Sequence, residues 1–121
     1  MDKTSELLLV YTTWSSVDEA KRAGKRLLKK RLCGCVNIFP EVMPLYWWPP
    51  KSEKIEQAHE VVMIIKTLKS RFNELESEIY KIHTFDTPCI VALPVYKVGG
   101  NYFKWIKGEI EYKSKIKKPT G

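Results

Sequence analysis

Residues 33–67 constrain the fold more than any other stretch of the chain. They read as two long arms joined by a short proline-containing tip. One arm runs from Cys33 through Phe39, Pro40 and Pro44 to Trp48, and the other returns from Lys54 to Thr67. β-Branched and aromatic residues dominate both arms, as strands prefer. Each arm has about 14–16 residues, against about 5–6 in a typical strand. At roughly 3.3 Å per residue an unbroken arm reaches up to ~50 Å. A domain of 121 residues is only ~35 Å across. The hairpin must therefore bend, overhang the domain, or both. Pro40 and Pro44 mark the expected bend or bulge, because proline cannot donate to a ladder. The overhanging end carries Tyr46, Trp47 and Trp48. Large aromatics without a local core need a partner surface, which points to an obligate oligomer.

The length predicts one domain over residues 1–121 with one core. An apolar content of 44% and a charged content of 29% are those of a soluble globular protein. No apolar run approaches the ~20 residues of a membrane helix, so no membrane partner is expected. The first residues lack the pattern of a signal peptide, which places the protein in the cytoplasm. Three cysteines are an odd number and argue against a closed disulfide framework. The net charge of +7 fits either a polyanionic partner or a lysine-rich surface of the kind enriched in heat-stable proteins.

Around the hairpin the hydrophobic period changes along the chain. Residues 7–13 form an apolar run of strand length. Ser16 and Glu19 have capping-box spacing, with Asp18 in the first turn. Ala20, Ala23, Gly24, Leu27 and Leu28 then make a narrow apolar helical stripe, and Lys21, Arg22, Lys25, Arg26, Lys29, Lys30 and Arg31 line the other face. After Thr67, Ser70 is a candidate cap for a second helix. Its apolar face is Phe72, Leu75, Ile79 and Ile82, and it ends near His83. Residues 84–88 read as a turn. Residues 89–96 read as a fourth strand, demoted to a sheet edge by Pro94. Residues 99–101 are a turn and helix cap, and Tyr102, Trp105 and Ile106 mark one face of a short third helix. Residues 113–121 are a lysine-rich tail expected to fray.

This order is the α+β, ferredoxin-like βαββαβ sandwich, with an extended hairpin and a short extra C-terminal helix. Its sheet has spatial order 4-1-3-2 with both main helices on one face. Strands 1 and 3 are too apolar to leave the other face wet. Edge strands 2 and 4 carry unpaired backbone groups. Both features favour a closed homo-oligomer.

The chain resembles the CutA family, the divalent-cation tolerance proteins, over nearly its whole length. The resemblance is carried by an ordered set rather than one motif. Val10, Tyr11, Thr12 and Thr13 precede a helix ending in Leu27 to Leu32. Cys35, Val36, Asn37 and Ile38, then Tyr46, Trp47 and Trp48, then Lys54, Ile55 and Glu56 follow. Glu60, Lys66, Thr67, His83, Pro88, Tyr102 and Trp105 complete it. The resemblance implies a tight, PII-like homotrimer with hairpins paired across subunits. It also implies a link to copper and heavy-metal tolerance, with copper or another divalent cation bound and none required for folding. The sequence departs from the family pattern in three places. At the tip, Pro49, Pro50, Lys51, Ser52 and Glu53 replace a glycine-containing turn and add about three residues. His83, Thr84 and Phe85 stand where histidine, proline and tyrosine are usual. Tyr11 and Ile82 occupy positions where some bacterial members have cysteine and histidine copper ligands, so His83 alone remains of that set.

Thiolate suits Cu(I) and imidazole suits copper and zinc, so Cys35 and His83 are the candidate metal ligands. Cys33 and Cys35 are i and i+2, which on a strand points both to one face; the alternative is that both are small buried residues. Cys89, on the opposite edge strand, cannot join Cys35 within one subunit. His83 ends a helix, where a capping or hydrogen-bonding role competes with ligation. His59 reads as surface. Glu60 and Lys66 share a strand face about 20 Å apart. With Trp48, Tyr102 and Trp105 they are candidates for lining a cleft between subunits, the alternative being interface packing. No phosphate-binding glycine loop, nucleophile elbow or acid–base constellation is present, which argues against an enzyme. The third strand lacks the aromatic RNA-reading pattern, so no nucleic acid is expected. A protein partner is not legible. A PII-like sensor holding a small anionic ligand between subunits remains the alternative.

Overall fold

The apolar run near the N-terminus becomes the strand on which the sheet is built. β1 (Leu7–Trp14) pairs antiparallel with β5 (Glu60–Leu68), from Leu7 opposite Leu68 to Trp14 opposite Val61. Its other edge pairs antiparallel with β6 (Ile90–Pro94), and β2 (Cys35–Val42) pairs with β5. The order β2-β5-β1-β6 is the expected ferredoxin-like arrangement. Pro94 lies in an edge strand, as a residue without an amide proton must. The structure, a computed structural model, describes residues 5–113. Apart from Lys113, the tail expected over residues 113–121 lies outside them.

Helix α1 (Val17–Lys29) starts as its sequence dictates: the Glu19 amide donates to Ser16 Oγ at 3.1 Å. Its stripe of Ala20, Ala23, Gly24 and Leu27 is buried. A Cβ on Gly24 would lie 3.1 Å from Val36 Cγ2 and 3.2 Å from Met63 Sδ, so small residues set how closely this helix meets the sheet. It closes in a Schellman motif, with the Arg31 amide bonded to Leu28 O and the Leu32 amide to Leu27 O. Arg31 takes the left-handed position usual for glycine, at φ 57.

Helix α2 (Phe72–Ile82) buries Leu75 and Ile79 against the same side of the sheet. Ser70 does not cap it. A 3-10 turn, Lys69–Arg71, comes first, anchored by the Lys69 amide on Glu6 O at 2.9 Å. The core between helices and sheet centres on Trp14, Val10, Met63, Ile65 and Leu27. Trp14 Nε1 donates to Thr12 Oγ1, which donates to Met63 O, both at 2.7 Å. The one polar atom of the indole is thereby satisfied in a dry interior.

Glu78 on α2 is buried and accepts from Arg26 Nε at 2.6 Å, with Lys30 at 3.3 Å and Lys81 at 3.9 Å. The Arg26 hydrogen bond holds its carboxyl below the ordinary value of 4.5, against the opposing effect of burial. A depressed folded-state pKa contributes stability in full above the unfolded value and loses it as pH falls. Glu78→Gln is expected to cost about 1–2 kcal/mol at pH 7, limited by the half-exposed cations. In urea unfolding the deficit should shrink as pH drops below the ordinary carboxyl value. A deficit independent of pH would show that the charge is not the cause.

Helix α3 (Gly100–Glu111) packs on the other side of the sheet, at one end only, where Ile106 and Ile110 meet Leu7 and Leu68. Arg31 Nη1 ties down its C-terminal end, donating to Glu109 O and Oε2, each at 2.9 Å. At 12 residues it is longer than expected. Its inward stripe is the buried Ile106 and Ile110 with the partly buried Phe103, while Tyr102 and Trp105 are exposed. Among the described residues no helix covers the rest of this sheet face, and Phe39, Val91 and Leu93 are each about half exposed on it.

The long hairpin breaks where its prolines lie. The β2–β5 ladder slips between Phe39 and Val42, across Pro40. Past Pro44, β3 (Leu45–Trp47) and β4 (Ile55–Gln57) form a separate two-stranded ribbon. The Ala58 amide donates to Pro44 O across the gap, and the Trp48 amide to Lys54 O at the tip.

Candidate functional site

Side chains alternate across a ribbon, and here the alternation separates two roles. Leu45, Trp47 and Ile55 share one face, Trp47 directly opposite Ile55, and each is 66% exposed. Tyr46 and Trp48 turn the other way and wall a cleft of about 490 Å³. Pro44 completes that wall, and Glu60 contributes the first side chain of β5. The far wall is the loop between α2 and β6, through Phe85, Asp86, Thr87 and Cys89. Burial raises the Cys89 thiol pKa, and the charge of Glu60 adds to it.

His83 positions that loop. Its amide caps α2 on Ile79 O at 2.9 Å. Its ring stacks on Trp14 with centroids 4.2 Å apart, and Phe85 leans on it at 4.7 Å. The Phe85 amide donates to Nδ1 at 3.0 Å. An amide can only donate, so Nδ1 is the acceptor and the proton sits on Nε2, which faces Thr13 O at 2.8 Å. Both ring nitrogens are thus occupied within the chain. His83→Ala is expected to release Phe85 and cost about 2–3 kcal/mol, from the lost ring packing and two hydrogen bonds. Unfolding in denaturant measures it, and an unchanged midpoint would remove His83 from this role.

The other candidate metal ligand lies elsewhere. Cys35 opens β2 on the α3 side of the sheet, opposite Lys66, and Asn37 Nδ2 is 3.9 Å from its sulfur. Cys33 does not share its face. β2 begins only at Cys35, and Cys33 is buried in the core beneath the helices, where burial pushes its thiol up to about 12. Among the described residues, no three of His, Cys, Asp and Glu converge as a metal-ligand group.

The five residues expected to share a cleft fall into two groups at opposite ends of β5. Trp48 and Glu60 meet in the cleft just described. Lys66 Nζ donates to the Tyr102 hydroxyl at 3.1 Å, and Trp105 lies against Tyr102 with ring centroids 5.7 Å apart. The Tyr102 hydrogen bond holds the Lys66 ammonium above its ordinary pKa, with burial opposing it and Cys35 assisting. Six residues of strand, about 20 Å, separate the two groups. Two larger grooves, about 890 and 740 Å³, run along the exposed helical face and are lined by Lys29 and Lys30 among others. Neither contains a residue of the expected cleft. Sequence reasoning missed Tyr46, Phe85, Asp86 and Cys89 as cleft residues. For Tyr46 the signal was the period-two alternation; for the loop there was none.

Residues 8–109 match the model of the family described as CutA1 divalent ion tolerance protein. A divalent-cation tolerance protein CutA of Archaeoglobus fulgidus is 41% identical over 102 residues, covering 84% of this chain and 96% of that protein. That of Thermotoga maritima is 38% identical over 104 residues, covering 86% and 99%. A solved structure of the Archaeoglobus fulgidus protein, described as periplasmic, superposes with a TM-score of 0.81 at 39% identity, covering 87% of this chain and 99% of that one.

Proposed function

The chain belongs to the CutA1 divalent ion tolerance protein family, and from that premise we propose that it is a cytoplasmic homotrimer serving divalent-cation tolerance by binding rather than catalysis. The observation that carries this reading is the ribbon face bearing Leu45, Trp47 and Ile55, three large apolar side chains each 66% exposed. It stands beside an apolar sheet face that α3 covers at one end only, and the sheet has two open edges, β2 and β6. A second and third copy would cover all of these at once. The cleft walled by Tyr46, Trp48 and the α2–β6 loop is then the proposed binding site of each subunit.

Copper or another divalent cation is the proposed cargo. The two candidate donors of one subunit do not fit such an ion together, since Cys35 and His83 lie on opposite sides of the sheet and both imidazole nitrogens are occupied. Any ligation by Cys35 would draw its other donors from a neighbouring subunit. Weak copper binding lost in Cys35→Ser is the expected calorimetric result, and equal uptake by mutant and parent would remove Cys35 from the site. A second reading, a PII-like sensor of a small anion, is favoured by Lys66, whose ammonium donates to the Tyr102 hydroxyl beside Trp105. Mass spectrometry under native conditions tests the main reading, because it counts subunits and weighs anything retained. A monomer at low micromolar concentration would end it.

A further inference from the structure

We infer that the cleft between the ribbon and the α2–β6 loop takes an organic ammonium ion, a protonated or quaternary amine, held against Tyr46, Trp48 and Phe85 by the carboxylate of Glu60. This rests on the reading of that cleft as a binding site and names its ligand class. Three aromatic rings contribute to its lining, together with two carboxylates, Glu60 and Asp86. Among the described residues no lysine, arginine or histidine lines it, although the chain carries a net charge of +7. Glu60 is only partly exposed, and its carboxylate has no ion-pair or hydrogen-bond partner among the described residues. Its charge is therefore available to a cation that enters the cleft.

The chemistry of the walls selects the kind of cation. Aromatic faces attract a positive charge through their quadrupole, tryptophan most strongly, and cages of such rings are the recurring receptor for alkylated ammonium groups. A bare divalent ion needs several oxygen, nitrogen or sulfur donors around it. Glu60, Asp86 and Cys89 do not converge as such a set, and the thiol among them is biased toward its protonated form. An anion would meet two carboxylates. At about 490 Å³ the cleft has room for an ammonium head and a short tail.

Choline and its neutral isostere 3,3-dimethylbutan-1-ol make a matched pair of probes, titrated by calorimetry into the full-length protein at low salt. Choline is expected to bind at least tenfold more tightly than the alcohol. Glu60→Gln should weaken choline at least fivefold and leave the alcohol unchanged. Phe85→Leu and Tyr46→Leu should each weaken choline about threefold or more, while Tyr46→Phe, which keeps the ring, should not. Thermal melts of each variant separate loss of binding from loss of fold. Equal affinity for the two probes, or indifference to Glu60→Gln, would overturn the proposal. Sedimentation of the same samples keeps it distinct from the oligomer reading. An intact assembly that ignores choline removes the ammonium site alone. A monomer that binds choline removes the assembly alone.

Discussion

Replacing Trp47 and Ile55 together by serine is expected to leave monomers at low micromolar concentration, where the proposed trimer of the parent should remain assembled. The two side chains stand directly opposite each other on the outward face of the ribbon, and both are largely exposed. Buried aromatic and aliphatic anchors at the centre of an interface contribute about 2 kcal/mol or more each. Two such losses approach about 4 kcal/mol, roughly a thousandfold in affinity, with less than full additivity because the residues touch. Neither side chain belongs to the subunit's own cores, so the variant should fold. Trp48→Ala alters the opposite face and should affect ligand binding more than sedimentation. An oligomer that survives the double serine substitution at micromolar concentration would show that the ribbon does not hold the subunits together.

Gly34→Ala is expected to destabilise the subunit by about 3 kcal/mol. A Cβ at this position would lie 2.4 Å from Ile106 Cγ1 and 3.3 Å from the Ile106 carbonyl oxygen. Ile106 is fully buried against Leu7 and Leu68, so its side chain has no room to yield and α3 must lift from the sheet. Overpacking of a filled site typically costs about 1–3 kcal/mol; the nearby backbone oxygen places this one at the upper end. Gly34 does not have positive φ, so the requirement is for space rather than backbone freedom. Ile106→Ala alone should cost about 2–5 kcal/mol. The double variant should cost clearly less than the sum, because the cavity of one change receives the methyl of the other. Additive losses in a double-mutant cycle by urea unfolding would mean that the two positions do not meet.

The sheet order and both main helices were legible because period-two and helical stripes are strong where one face is buried. Ser16, Pro40 and Pro44 acted as their chemistry predicts. The misreadings share a cause: the partner surface, not the local pattern, decided the outcome. Cys33 and Cys35 alternate correctly only if both lie in a strand, and the strand starts at the second of them. Residues 102–106 of α3 offer two overlapping stripes. The larger aromatics, Tyr102 and Trp105, suggested one, but the surface around Gly34, Leu7 and Leu68 selected Phe103, Ile106 and Ile110. Ser70 lost its capping role to the anchored turn before α2. The cleft was half visible, since Trp48 and Glu60 were singled out. The wall from Phe85 to Cys89 was not, because its placement depends on the His83 ring, which stacks on Trp14 and accepts from the Phe85 amide, a contact across the chain that no local pattern announces.

The slip in the ladder between Phe39 and Val42 has an evolutionary consequence. Inboard of it, every residue of β2 is locked in step with β5. Outboard, the ribbon keeps a pairing of its own. Lengthening or shortening the tip therefore need not propagate into the sheet. The turn with Pro49, Pro50 and the left-handed Lys51 and Glu53 sits on the side where drift is tolerated, and a lineage could remodel its outermost recognition surface there without renegotiating the core.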